Sequence, residues 1–182
     1  MPLVVMLHGF GGDHATALAS LTPAQAVALP GADGTPLPPM ALVTVDGGNG
    51  YWNAHPGDDP MGMLVDELIP LCRNRGLGRA PRTIAAMGIS MGGYGALLLA
   101  EKNPGLVGAV AGISPAIWTS YAQAHAANAG AYASPAAFTA NDAVTHATSL
   151  AGVPVRVAAG YDDPFFTSQE PASLQFLARN LT

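Results

Sequence analysis

Charge is scarce in this 182-residue chain: 10% of its residues are Asp, Glu, Lys or Arg, against 49% hydrophobic. That balance excludes the polar, highly charged profile of a disordered segment. Lys and Arg together number only 7 and the formal net charge is −5, so there is no basic stripe for a phosphate backbone. No nucleic-acid partner is expected. No apolar run reaches the length of a membrane-spanning helix. A single cysteine, Cys72, excludes an internal disulfide, and spaced Cys/His metal ligands are absent. No metal is therefore expected. The N-terminus has no basic segment ahead of its aliphatic run, so it reads as a strand and not as a secretory leader. Nothing in the sequence assigns a compartment.

What the chain does have is an alternation of short aliphatic runs with longer, helix-spaced stretches. Leu3–Leu7, Ala41–Val45, Thr83–Met87, Val107–Ile113 and Val153–Ala159 are continuous apolar runs of the kind buried on both faces of a parallel sheet. Met61–Cys72 has helical spacing that places Met63, Leu64, Leu68, Ile69 and Leu71 near one face. Met91–Lys102 is a second helix, stopped by Asn103-Pro104-Gly105, and Ser168–Asn180 a third. Strand–helix–strand alternation predicts an α/β fold: a doubly wound, mostly parallel sheet of about five strands flanked by helices. One domain over residues 1–182 is expected, with 114–149 as a cap or loop region within it.

Gly88-Ile89-Ser90-Met91-Gly92 fits G-x-S-x-G and lies between an apolar run and a helix, the strand–turn–helix setting of a nucleophile elbow. Such a turn strains the serine backbone and needs small neighbours, which Gly88, Gly92 and Gly93 supply. Ser90 is the predicted nucleophile. His8-Gly9-Phe10-Gly11-Gly12 comes after the first run, where hydrolases of this kind draw one oxyanion-hole amide; the other comes from the residue after the serine. By position those donors are the amides of Phe10 and Met91, with His8 structural. Gly160-Tyr161-Asp162-Asp163-Pro164 comes after the last run, where the acid of a Ser–Asp–His triad belongs. Its spacing favours Asp163, with Asp162 second.

Histidine is missing where that triad needs it. All five (His8, His14, His55, His125, His146) precede the acid. The base that takes the serine proton is expected after it. Among the five, His125 and His146 are the candidate substitutes, with His14 and His55 behind them.

The segment Gly88–Leu97 resembles the esterase family that includes esterase D, feruloyl esterases and the antigen 85 mycolyltransferases. His8–Gly12 is similar to that family's oxyanion loop, and Gly160–Phe165 to its acid motif. Asp46-Gly47-Gly48, with Tyr51-Trp52 and Asp58-Asp59-Pro60, looks like its actinobacterial branch. The resemblance runs along essentially the whole chain and implies a serine carboxylic-ester hydrolase acting on a small-molecule ester through an acyl-enzyme. It implies an incomplete α/β-hydrolase fold, with family members carrying further strands before Met1 and a strand and histidine loop after Thr182. Acyl transfer on the same machinery, or a catalytically incomplete hydrolase-like domain, are the other readings. Trp52 and Trp118 are candidates to line the acyl or sugar site, although a lone buried Trp is more often a core residue.

Overall fold

Alternate residues of the first strand, β1 (Leu3–Leu7), feed two separate cores. Leu3, Val5 and Leu7 join a cluster on one face of the sheet, Val4 and Met6 a cluster on the other. A strand buried on both sides in this way must lie inside a sheet covered by helices on both faces. The computed structural model describes residues 1–18, 25, 28–31, 34–159 and 166–181, with the backbone alone for 166–171. Its other strands are β2 (Ala41–Thr44), β3 (Ile84–Ile89), β4 (Ala109–Ile113) and β5 (Val155–Ala158). All pair in parallel, in the order β2-β1-β3-β4-β5. The doubly wound α/β arrangement read from the sequence is what forms, with every strand parallel.

The helices are α1 (Pro60–Gly62), α2 (Ile69–Asn74), α3 (Met91–Lys102), α4 (Tyr121–Ala127), α5 (Pro135–Ala140) and α6 (Phe166–Asn180). α3 packs on the face shared by Leu3 and Val5; Leu174, Leu177 and Leu181, at the end of α6 and just beyond, cover the other. α4 and α5 are started by Ser120 and Ser134, whose hydroxyls accept from the amides of Gln123 and Ala137.

Two expectations are corrected. The segment read as one regular helix over Met61–Cys72 contains a π-helical stretch, Met63–Leu68, between α1 and α2. The wider turn puts Leu64, Ile69 and Cys72 in the core and leaves Leu71 48% exposed. Pro70 supplies the reason: inside an ordinary helix its ring would clash with the carbonyl four residues back, and a π turn removes that register. The second correction is β5, expected to be buried on both faces. It is an edge strand, with Val155 and Val157 exposed.

Because every strand runs the same way, their carboxyl ends share one edge. His8, Val45, Ser90 and Ser114 each come directly after a strand at that edge. The chain moves from β1 out to β2 and then back across to β3, so the strand order reverses between β1 and β3. In open α/β sheets ligands bind in the crevice outside the carboxyl ends at such a reversal. The loops after β1 and β3, holding Gly9–Phe10 and Ser90, border it.

Candidate active site

Ser90 stands at the turn from β3 into α3 with φ 54° and ψ −117°, a conformation L side chains rarely adopt. Such a residue costs about 1–3 kcal/mol and survives only where its surroundings dictate it. Here the Ser90 amide donates to the Ile113 carbonyl of β4 at 2.9 Å. Its carbonyl accepts from Tyr94 and from Ala116, both at 3.0 Å. Glycine is required around it by direct contact. A Cβ on Gly92 would lie 1.9 Å from the Leu7 carbonyl oxygen, and one on Gly88 would lie 2.4 Å from the Gly92 carbonyl carbon. The close approach of α3 to β1 and β3 thus depends on those two positions.

The Ser90 hydroxyl, at the N-cap position of α3, does not cap the helix. No hydrogen bond joins it to any of the five histidines, all of which are described. Each of these has another partner. His14 Nδ1 meets Asp46 Oδ1 at 2.9 Å, His55 Nε2 meets the Gly50 carbonyl at 2.8 Å, and His146 Nε2 meets the Thr139 carbonyl at 3.1 Å. His125 Nδ1 lies 3.4 Å from the Tyr121 hydroxyl.

The loop after β1 lies against the serine: a Cβ built on Gly9 would be 3.8 Å from Ser90 Cβ. Among the described residues, neither the Phe10 nor the Met91 amide donates to a protein acceptor. His8 is buried, as expected of a structural residue. Its Nε2 accepts from the Gly47 amide at 3.0 Å, so the ring proton sits on Nδ1 and donates to the Gly9 carbonyl at 2.8 Å. Asp162 and Asp163 lie outside the described residues; β5, which precedes them, ends at the same edge of the sheet as Ser90.

An aromatic cluster extends from Phe10, in the loop after β1. Tyr51 lies 5.1 Å from Trp118 and 6.5 Å from Phe10, ring centroid to centroid, and Phe10 is 57% exposed. Trp118 is half-buried. Trp52 is fully buried, the core position a lone Trp more often takes. In sequence, Asp46-Gly47-Gly48 and Tyr51-Trp52 stand out only as a family likeness; what sequence reasoning missed is that polar groups of the loop from Asp46 to Asn53 grip the loop after β1. Beside it, His14 and Asp46 form an exposed pair: the hydrogen bond to the carboxylate raises the His14 pKa. The His14 amide and then its ring lower that of Asp46.

A five-stranded, all-parallel sheet covered by helices on both faces is an α/β-hydrolase-type fold. The chain belongs to the Esterase family, whose model matches residues 1–181, and by that membership it is an ester-hydrolysing enzyme. Among solved structures it is similar to a ferulic acid esterase, at 17% identity and a TM-score of 0.66, covering 100% of this chain and 85% of that one. It is also similar to an S-formylglutathione hydrolase from Agrobacterium tumefaciens, at 17% identity and a TM-score of 0.71, covering 100% and 84%. A third is MPT51 of Mycobacterium tuberculosis, at 22% identity and a TM-score of 0.65, covering 99% and 74%. These likenesses are of fold. No curated protein sequence matches the chain.

Proposed function

We propose that the protein is a serine carboxylic-ester hydrolase working through an acyl-enzyme on Ser90. The observation that carries this reading is the strained Ser90 backbone, which holds an uncommitted hydroxyl beside the loop after β1. Ser90 Oγ attacks the ester carbonyl carbon, forming a C–O bond while the carbonyl electron pair moves onto oxygen. The Phe10 and Met91 amides donate to that oxygen, and the N-terminus of α3 adds its positive end. Collapse of the tetrahedral adduct breaks the bond to the alcohol, which leaves with the proton that Ser90 gave up. Water then attacks the acyl carbon, the bond to Ser90 Oγ breaks, and the carboxylic acid leaves as Oγ takes back a proton from the water.

Asp163 is the acid of the triad in this reading, placed after β5 in the chain. Its partner histidine is not assigned among the five, each of which is engaged elsewhere. Small-molecule esters are the substrates, and the route needs no metal or organic cofactor. The test is hydrolysis of p-nitrophenyl acetate by the protein and by Ser90→Ala. Turnover lost in the variant supports the reading; equal turnover in the two folded proteins overturns it.

A further inference from the structure

Two aromatic residues in succession, Tyr51 (φ 55°) and Trp52 (φ 57°), hold the left-handed backbone region that aromatic side chains avoid. The surroundings show what dictates this. The Trp52 indole is fully buried between two glycines. A Cβ on Gly47 would lie 2.2 Å from Trp52 Cζ3, and one on Gly95 would lie 2.6 Å from Cδ1. From that slot its ring meets His8 at a centroid distance of 5.1 Å, and its N–H donates to the His8 carbonyl at 3.3 Å.

That bond matters because the His8 carbonyl lies one peptide group away from the Phe10 N–H. The Phe10 N–H shares a planar peptide unit with the Gly9 carbonyl, and the two point in opposite directions. That carbonyl is held by His8 Nδ1 at 2.8 Å and by the Gly12 amide at 3.0 Å. The unit before it carries the His8 carbonyl, which Trp52 holds. The Gly11 amide, in the unit after it, donates to Asn49 Oδ1 at 2.7 Å. The peptide groups on either side of the Phe10 N–H are therefore tied down, and among the described residues the Phe10 N–H itself donates to no protein acceptor.

We infer that Trp52 is a positioning residue for the reaction: through its indole N–H it holds the His8–Gly9 peptide and so aims the Phe10 amide at the developing oxyanion. The strain at Tyr51 and Trp52 is the conformational cost of bringing the indole under the loop. This role for Trp52 rests on Ser90 as nucleophile and deepens that reading.

The test is saturation labelling of the protein with a fluorophosphonate. Ser90 Oγ attacks phosphorus, fluoride leaves, and the phosphoryl oxygen occupies the place of the oxyanion. Labelling separates the chemical step, kinact, from binding, KI. Trp52 is replaced by β-(3-benzothienyl)alanine, which exchanges the N–H for sulfur at nearly the same shape, and in parallel by Trp52→Phe. With the donor lost, kinact should fall about ten- to a hundredfold with KI changed by less than about twofold. The Tm of the benzothienyl protein should stay close to that of the parent. A purely structural role would instead lower Tm or the fraction of protein labelled and leave kinact unchanged. An unchanged kinact in the benzothienyl protein overturns the role of Trp52, whether or not Trp52→Phe folds. A parent that does not label, or a Ser90→Ala variant that labels as fast as the parent, overturns the nucleophile reading instead.

Discussion

Replacing Ser90 by glycine should give a more stable protein than replacing it by alanine, although glycine usually weakens a fold. Both changes remove the hydroxyl, and neither loses a helix-capping hydrogen bond, because the Ser90 side chain makes none. The difference between them is the Cβ at φ 54°, ψ −117°. An L residue held there costs about 1–3 kcal/mol, which glycine escapes. Against this stands the greater freedom of glycine in the unfolded chain, roughly 0.5–1 kcal/mol. The net expectation is that Ser90→Gly exceeds Ser90→Ala by about 0.5–2 kcal/mol. For a domain of this size that is on the order of 1–8 °C in melting temperature. Urea unfolding of the two variants side by side, with equal slopes against denaturant, measures it. Equal stability, or a more stable alanine variant, would show that the backbone at Ser90 stores no strain, and the structural case for an elbow would fail.

Glu101 gives a pH-dependent counterpart. It is buried on α3 without a hydrogen-bond partner for Oε2, and its pKa is pushed up to about 7 by burial, then by nearby Asp142. The folded state thus keeps a proton that the unfolded chain releases near its ordinary value of 4.5. Stability should decline as pH rises from there through about 7 and level off above. Glu101→Gln should remove that slope. It should match the parent near pH 5 and exceed it by roughly 1–3 kcal/mol at pH 8, by denaturant unfolding at both pH values. Gly92→Ala should be far more damaging than Gly105→Ala. The first drives a Cβ to 1.9 Å from the Leu7 carbonyl oxygen, whereas the second meets open space at φ +85°. Losses of about 3 kcal/mol or more and of about 1 kcal/mol are expected. Equal losses would mean that α3 and β1 can separate freely.

The parts of the molecule legible in the sequence are those whose physics is local. The runs around Leu3–Leu7 and Ile84–Ile89 read as central strands because both faces are apolar, and both lie in the middle of the sheet. Ser90 and its glycines read as an elbow because the steric demand of the turn falls within five residues. Edge position is not local: Val155 and Val157 look like core residues in sequence and are exposed only because of where β5 pairs. The exposure of Leu71 depends on a π turn that hydrophobic spacing does not encode. The grip of the loop from Asp46 to Asn53 on the loop after β1 was not legible. The partners of His8, at Gly47 and Trp52, lie far away in the chain, and Tyr51 and Trp52 occupy a backbone region their residue types disfavour.

In the mechanism proposed above, ester hydrolysis turns on one covalent bond, from Ser90 Oγ to an acyl carbon. Brief exposure of the protein to p-nitrophenyl acetate, an acid quench and peptide mass spectrometry would look for that bond directly. The proposed chemistry predicts one acetyl group, carried by the peptide containing Ser90 and absent from the Ser90→Ala protein. An acetyl group found instead on another residue, at equal yield in the Ser90→Ala protein, would contradict it.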